Sequence, residues 1–250
     1  MQRIGIMSAI PQEHAALGAS FAGHETVKKI AGMEFSVGTL EDRPVVFVES
    51  GIGKVNSALV ATLLITEFGC DGLIFSGVAG GIDPSLSVGD VVIGTRLVQY
   101  DYGALANERI TTYQPGVPPL PDVDKTHGYE PDPALLKRVE AMLRKTDFPL
   151  VYAGGEERVP SVSFGTILTG DTFMNCEATR RRLFDEFDAQ AIEMEGGAVA
   201  QIAERFNVSY LVVRALSDLA GADSHIDFPT FLEEAADVAA TVTRAVLRVV

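Results

Sequence analysis

Short apolar segments alternate with longer segments of helical periodicity along most of this chain. Residues 210–214 are bulky or β-branched, which is typical of a buried parallel strand. Residues 133–145 instead repeat apolar side chains three and four positions apart, which predicts a helix with one buried face. The pattern predicts strands at 3–7, 44–49, 72–75, 90–93, 166–168, 190–192 and 210–214. It predicts helices at 55–67, 133–145, 177–187, 197–206 and 229–249, and a hairpin or further strand in 26–40.

This interleaving predicts a single α/β domain over residues 1–250. Strands that are apolar throughout are buried on both faces, so helices should cover both sides of the sheet. We therefore expect a three-layer α/β/α sandwich around a central mixed sheet. In the last predicted helix, Pro229 falls near the first turn, where proline is well tolerated.

Residues 100–132 depart from this pattern. The segment has five prolines and little periodicity, and it carries four of the six tyrosines. A loop of this length inside a compact domain is usually functional or disordered, and disordered segments are poor in aromatic residues. We expect an ordered lid or a subunit contact rather than a linker.

The composition is that of a globular protein with a strong acidic bias. Hydrophobic residues make up 47% of the 250 residues, and the formal net charge is −14. An acidic surface argues against nucleic acid or an anionic membrane as a partner. The chain shows no signal-peptide pattern and no apolar segment of membrane-spanning length, so we expect a cytoplasmic location.

The cysteines and histidines predict neither a disulfide framework nor a metal site. Cys70 and Cys176 are the only cysteines and lie far apart, and the four histidines lack the spacing of metal ligands. We expect no metal and no cofactor.

Polar residues follow the buried strand at 210–214. In open α/β sheets, ligands bind beyond the carboxyl ends of the strands, where Ser217 and Asp218 fall. Asp218 is therefore placed either to contact a ligand or to cap a following helix.

Glu193 and Glu195 flank Met194 where the predicted strand 190–192 meets the helix 197–206. The helix dipole stabilises one carboxylate at such a position. We expect the two carboxylates to point to opposite sides, one structural and the other facing a ligand. A carboxylate can accept hydrogen bonds from both vicinal hydroxyls of a ribose.

Two glycine-rich turns are expected after strands, at 50–54 and 76–81. The first lacks the third glycine of the dinucleotide-binding fingerprint, and it is not a P-loop. Both stretches are compatible with tight turns or with backbone that approaches a small molecule closely.

As an ordered set, these motifs resemble the nucleoside phosphorylase superfamily, and within it the 5′-methylthioadenosine/S-adenosylhomocysteine nucleosidases. The resemblance covers nearly the whole chain except residues 100–165, and it implies a nucleoside phosphorylase-like fold. The motifs that carry it are Ile4-Gly-Ile-Met-Ser-Ala-Ile-Pro-Gln-Glu13, Ser50-Gly-Ile-Gly-Lys-Val55, Gly77-Val-Ala-Gly-Gly81, Val88-Gly-Asp90, Thr169-Gly-Asp-Thr-Phe173, Glu193-Met-Glu195, Arg214-Ala-Leu-Ser-Asp218 and Ser224-His-Ile-Asp-Phe228.

The resemblance implies that water cleaves the N9–C1′ bond of an adenine nucleoside. Asp218, helped by Ser217, would protonate N7 of the leaving purine. Glu13 would activate the attacking water, a division of labour between two carboxyls that inverting glycosidases share. For Glu13 the alternative is an ordinary acidic residue in the first turn of a helix.

The resemblance also assigns binding roles. Glu195 would hold the ribose hydroxyls over Met194, and Arg214 would orient Glu195 or reach a sugar hydroxyl. Phe173 would stack on adenine while backbone groups of Met174 read its edge. Ile52 and Phe228 would line the sugar and the 5′-substituent. The family implies a homodimer, in which the loop beginning near Tyr100 contributes Tyr102 to a neighbour's site.

Val78 stands where these nucleosidases commonly have serine, which leaves the water and anion contacts open. The nearest alternative is a phosphorylase of the same fold, which would need a phosphate site built from arginine and serine. A futalosine-type or other adenosyl nucleosidase also stays open. A non-catalytic nucleoside sensor would not need both Glu13 and Asp218, and a dehydrogenase would need the missing fingerprint.

Overall fold

A computed structural model describes residues 3–118, 120, 128–153 and 156–250 of the chain. The strands in these residues are β1 (Ile4–Ser8), β2 (Ala22–Ile30), β3 (Met33–Leu40), β4 (Arg43–Glu49), β5 (Gly72–Gly81), β6 (Val91–Gln99), β7 (Gly103–Ala106), β8 (Arg109–Thr112), β9 (Val151–Ala153), β10 (Glu156–Arg158), β11 (Val162–Thr169), β12 (Ala189–Glu193) and β13 (Ser209–Asp218). The helices are α1 (Pro11–Gly18), α2 (Lys54–Phe68), α3 (Pro133–Leu143), α4 (Glu177–Phe187), α5 (Gly196–Phe206) and α6 (Ser224–Leu247).

Nine strands form one central mixed sheet in the order β12-β11-β6-β13-β5-β1-β4-β3-β2. Strands β4, β1, β5 and β13 are parallel neighbours, whereas β13 and β6 run antiparallel. Strand β12 also pairs with the end of β5 through Ala191 with Gly81 and Ile192 with Gly80. This extra pairing closes part of the sheet into a ring of five strands, which are β5, β13, β6, β11 and β12.

Alternate residues of the strands bury against helices on opposite faces. Ile4 and Ile6 belong to the apolar cluster that includes α1, α3 and α6. Met7 and Val48 belong to the cluster that includes α2 and α5. Because successive strand residues point to opposite faces, both faces of the sheet are covered. The predicted three-layer α/β/α sandwich around a mixed sheet is confirmed.

All seven predicted strands and all five predicted helices overlap elements of the same type, and residues 26–40 belong to the β2–β3 hairpin. Strands β5, β6 and β13 extend well beyond the predicted ends. Helix α1 was not predicted: it has eight residues, and only Glu13 and Leu17 are buried, so it shows little apolar periodicity.

The predicted start of the last helix is wrong. Helix α6 begins at Ser224, and Pro229 lies inside it rather than in its first turn. A proline within a helix lacks the N–H that would bond to the carbonyl four residues earlier, here His225. Residues 224–228 form one helical turn before the proline, which the prediction did not include, and this turn carries Phe228.

The predicted turn at 76–81 is also wrong. These residues are the second half of β5, where Gly80 and Gly81 pair with β12. A Cβ atom at Gly80 would lie 2.9 Å from Asp218 Oδ1, so the glycine permits close packing rather than a turn.

The segment 100–132 is ordered where it is described, and residues 119 and 121–127 lie outside that part. Strands β7 and β8 form a hairpin, and Tyr129 bridges to Leu97. Tyr100, Tyr113 and Tyr129 are buried. Its role as a lid or a subunit contact stays a prediction. Within the described residues, no helix is both long enough and apolar enough to cross a membrane.

Candidate active site

A cleft of about 610 Å³, counting space open to solvent, lies at the carboxyl-terminal parts of β5, β12 and β13. This is the edge where parallel sheets bind ligands. The residues that line it are Ala9, Ile10, Glu13, Ile52, Val78, Ala79, Gly80, Thr172, Phe173, Met174, Ile192, Glu193, Met194, Glu195, Ser217, Asp218 and Phe228.

Glu13, on the first turn of α1, reaches this cleft from one side. Its Oε2 accepts hydrogen bonds from the backbone N–H groups of Ala9 at 2.7 Å and Ile10 at 3.2 Å. Its Oε1 accepts one from Val78 at 2.8 Å. Burial raises the pKa of Glu13, against the opposing effects of Arg214 and of these backbone donors. The carboxyl group is therefore fixed in position and better able to take up a proton than an exposed glutamate.

Arg214 joins the two glutamates at the end of β12. Its Nη2 donates to Glu193 and, at 3.2 Å, to Glu195, and its guanidinium stacks 4.3 Å from the ring centroid of Phe75. The expectation that Glu193 and Glu195 point to opposite sides is therefore wrong. Residues two apart along an extended chain share a side.

The two glutamates nevertheless have different environments. Glu193 accepts hydrogen bonds from the backbone N–H groups of Glu195 at 3.1 Å and Gly196 at 2.7 Å, at the start of α5, and from Thr169 Oγ1. Glu195 Oε1 accepts a bond from the Gly53 N–H at 2.9 Å. Burial raises the pKa of Glu195 to about 7, although Arg214 opposes this. Glu193 therefore caps a helix, while Glu195 bridges the sheet to the loop after β4.

Asp218 ends β13 on the other side of the cleft. Its Oδ1 accepts a hydrogen bond from the Ala220 N–H at 2.8 Å, and its Oδ2 lies 3.1 Å from Ser217 Oγ. It does not cap a helix, because α6 begins only at Ser224. Burial raises the pKa of Asp218, against the Ala220 hydrogen bond. A carboxyl group held in this way keeps its proton to higher pH than an exposed aspartate.

Two aromatic rings stand at the open end of the cleft. Phe173 and Phe228 meet edge to face, with ring centroids 5.7 Å apart. Phe173 is 46% exposed and Met174 is buried. An exposed aromatic face beside buried carboxyl groups suits a flat, partly polar ligand.

The sequence model of the phosphorylase superfamily matches residues 3–248. A 5′-methylthioadenosine/S-adenosylhomocysteine nucleosidase of Mycobacterium bovis is 48% identical over 247 residues, which cover 98% of this chain and 95% of that protein. The chain belongs to this nucleosidase family.

Two solved structures are similar over almost the whole chain. The nucleosidase of S. pneumoniae with the transition-state inhibitor MT-ImmA is 30% identical and has a TM-score of 0.83. The match covers 99% of this chain and 99% of that one. Futalosine hydrolase of Helicobacter pylori is 27% identical, also with a TM-score of 0.83, and the match covers 99% of this chain and 97% of that one.

In this member of the nucleosidase family, the fold gathers eleven of the twelve residues predicted for the site along one cleft. Arg214 is the exception: it is fully buried behind Glu193 and Glu195 and is not among the lining residues. Val78 lines the cleft and also offers its backbone N–H to Glu13.

Sequence reasoning missed the groups that hold the side chains of the candidate site together. The Gly53 N–H contacts Glu195, and Thr169 Oγ1 links Glu193 to the N–H of Gly197. The glycine at position 53 and the resemblance of its loop were the available signals in the sequence, and the structure gives Gly53 a positive φ of 101°. Ile10, which lines the cleft directly before the unpredicted helix α1, lies within one of the motifs, but no role was predicted for it.

Proposed function

We propose that this protein hydrolyses the N-glycosidic bond of 5′-substituted adenosines such as 5′-methylthioadenosine and S-adenosylhomocysteine. The products are adenine and the free 5′-substituted ribose. The observation that carries the proposal is a pair of buried carboxyl groups, Glu13 and Asp218, each with a raised pKa, in one cleft of a nucleosidase-family fold. Groups poised in this way suit general acid and base catalysis.

Asp218 is the proposed acid. It donates its proton to N7 of adenine while the electron pair of the N9–C1′ bond moves into the purine. Ser217 Oγ, 3.1 Å from Asp218 Oδ2, and the Ala220 N–H hold the carboxyl group in place. Because burial disfavours the charged carboxylate, the proton is retained until the base departs.

Glu13 is the proposed base for water. As the sugar becomes oxocarbenium-like, water attacks C1′ and passes its proton to Glu13. The hydrogen bonds from Ala9, Ile10 and Val78 fix the carboxylate without occupying any side-chain donor. Because the carboxylate is already held in position, its ordering does not add to the activation barrier.

Glu195 is the proposed ribose ligand, packed beside Met194. Arg214 and the Gly53 N–H orient its two oxygens. The carboxylate accepts hydrogen bonds from the vicinal hydroxyls. Arg214 acts through Glu195 and has no contact with the sugar in this proposal, because it is fully buried.

The open end of the cleft takes the base and the 5′-substituent. Phe173 stacks on adenine and the backbone of Met174 faces its edge, while Ile52 and Phe228 contact the sugar and the 5′-group. All four line the cleft.

Charge favours water over phosphate as the nucleophile. No lysine or arginine is among the described residues that line the cleft, whereas Glu13, Glu193 and Glu195 are. A phosphate anion would meet carboxylates where a phosphorylase supplies cations. The apolar side chain of Val78 offers it no hydroxyl.

A homodimer is part of the proposal. Ile52, Val55 and Leu59 are 52%, 80% and 43% exposed on one side of the loop and helix that border the cleft. A contiguous exposed apolar face of this kind commonly marks a subunit contact. A Val55→Glu variant should shift a dimer to monomer in sedimentation. The cytoplasmic location stays a prediction.

The experiment is adenine release from a panel of 5′-substituted adenosines, with and without phosphate, with the sugar product identified by mass. We expect phosphate-independent release and an unphosphorylated pentose. A phosphorylated pentose would establish a phosphorylase instead, and activity confined to futalosine would move the protein to that specificity.

A further inference from the structure

One lysine and two aspartates from three separate loops form a cluster, and two of these loops supply residues that line the cleft. Lys54 follows the loop after β4, Asp101 follows β6, and Asp171 follows β11. We call these three residues the Lys54 cluster. They come from parts of the sequence separated by 47 and 70 residues, so only the fold brings them together.

Each member of the Lys54 cluster contacts both others. Lys54 Nζ lies 2.6 Å from Asp101 Oδ1 and 3.7 Å from Asp171 Oδ2. The Lys54 backbone N–H donates to Asp171 Oδ1 at 2.9 Å, and the Asp171 N–H donates to Asp101 Oδ2 at 2.9 Å. The side chains of Lys54 and Asp101 are only 18% and 21% exposed. Solvent therefore screens this pair less than an ordinary surface ion pair.

The cluster adjoins both halves of the proposed nucleoside site. Gly53, the residue before Lys54, donates its N–H to Glu195, the proposed ribose ligand. Phe173, the proposed adenine platform, lies two residues after Asp171. A Cβ at Gly170 would lie 2.8 Å from Tyr100 Cζ, so the loop before Asp171 packs directly on the ring before Asp101.

We propose that Lys54 is a positioning residue that sets the distance between the ribose carboxylate and the adenine platform. Lys54 is not among the residues that line the cleft, so it acts through Gly53 and through the loop carrying Asp171. This inference rests on the proposed function, because it assigns a base side and a sugar side to the cleft.

Loss of the lysine charge has a defined physical consequence. Lys54→Met leaves the carboxylates of Asp101 and Asp171 facing each other without the ammonium group, while the backbone N–H bonds of residues 54 and 171 remain. The Asp101 side chain is 21% exposed and the Asp171 side chain 49%, so solvent screens their repulsion only in part, and the repulsion loosens the contact between the loops. Replacing Asp101 by Asn as well removes one of the two charges, so the double variant Lys54→Met/Asp101→Asn should recover part of the loss.

The kinetic test compares Lys54→Met with Lys29→Met. Lys29 makes an ion pair of the same length, 2.6 Å, with Glu34 on the exposed β2–β3 hairpin. For Lys54→Met we expect the KM for 5′-methylthioadenosine to rise about tenfold or more, since small misplacements of binding groups have effects of that size. The inhibition constant of adenine alone should stay within about twofold, because adenine does not bridge the two sides. Lys29→Met should change neither.

A second measurement does not depend on catalysis. Hydrogen exchange of the free protein should become faster in both 50–54 and 169–173 in Lys54→Met, and return toward wild type in the double variant. Unchanged exchange in 169–173 would overturn the proposal. So would equal weakening of adenine and nucleoside with a lowered Tm, which marks a purely structural residue. If the wild type released no adenine, the proposed function would be wrong. The hydrogen-exchange result would still decide whether Lys54 couples the two loops.

Discussion

Glu13 Oε1 accepts a 2.8 Å hydrogen bond from the backbone N–H of Val78, a residue 65 positions away in the sequence. The bond crosses from the first turn of α1 to the middle of the glycine-rich half of β5. It is possible because Gly77 has no side chain: a Cβ there would lie 2.7 Å from Glu13 Cδ and would also clash with Arg214 Nη1. Glycine at this position is thus what lets the proposed base lie against the sheet.

Gly77→Ala should abolish most activity. The added methyl group has no room between two buried charged groups, so Glu13 must leave its place, and adenine release should fall by about 100-fold or more. Gly18→Ala is the matched control, since its Cβ would meet only Phe47 at 3.7 Å. Steady-state kinetics on both variants check this. Normal turnover in Gly77→Ala would show that the position of Glu13 does not matter.

Glu13→Gln should bind nucleoside but release adenine far more slowly. The amide keeps the shape of the side chain and cannot accept the proton of the attacking water, so kcat should fall by about 100-fold with little change in affinity. Calorimetric binding and single-turnover kinetics separate the two effects. Equal loss of affinity and rate would instead make Glu13 a binding residue.

Asp218→Asn should lower turnover by about 100-fold or more, the usual effect of losing a general acid. The side chain keeps its hydrogen bond from Ala220 but no longer carries an acidic proton. Asp185→Asn, on the exposed side of α4, serves as the control. Near-normal turnover of folded Asp218→Asn would remove this residue from the mechanism.

The stability of the protein should depend on pH through Glu195. Burial raises its pKa from 4.5 to about 7 in the folded state. The folded protein therefore binds this proton more tightly than the unfolded chain, and the resulting stabilisation is complete below about pH 4.5 and lost as the pH rises through about 7.

The glutamine of Glu195→Gln stays neutral at every pH. The difference in free energy of unfolding, variant minus wild type, should therefore be larger at about pH 8 than at about pH 5, by up to about 3 kcal/mol. Urea unfolding at both pH values measures this, with Glu233→Gln on the exposed face of α6 as the control. A difference between variant and wild type that is constant with pH, or smaller at pH 8, contradicts the assignment. The same variant should bind nucleoside weakly, because an amide cannot accept both ribose hydroxyls.

The tyrosine-rich segment 100–132 should become more protected from hydrogen exchange when a nucleoside analogue binds. A cover over the cleft excludes water from the reacting bond, and Tyr100 already packs on the loop that leads to Phe173. Exchange with and without saturating ligand tests this. Unchanged exchange throughout the segment would leave it as a surface element.

The sequence alone determined the order of the main strands and helices, although not α1 or the short strands β7 to β10, because buried strands and amphipathic helices have distinct apolar periods. It also predicted where the candidate site would lie, since Ser217, Asp218 and Glu193 to Glu195 lie at or just beyond the carboxyl ends of buried strands. Resemblance to one family then supplied roles for these residues. Local signals failed where packing outweighs them: α1 is short and nearly unpatterned, and the glycines at 76–81 look like a turn but pair with β12.

The tertiary structure decided everything that depends on contacts between distant segments. The residues around Gly53 do not indicate that it will contact Glu195, 142 positions later in the chain. Nor do the residues around Arg214 indicate that it will be buried against both glutamates. The raised pKa values of Glu13, Glu195 and Asp218 have the same origin, because desolvation is a property of the packed cleft and not of the side chain. Local sequence thus specified which groups were present, and long-range packing set their distances, their charges and their partners.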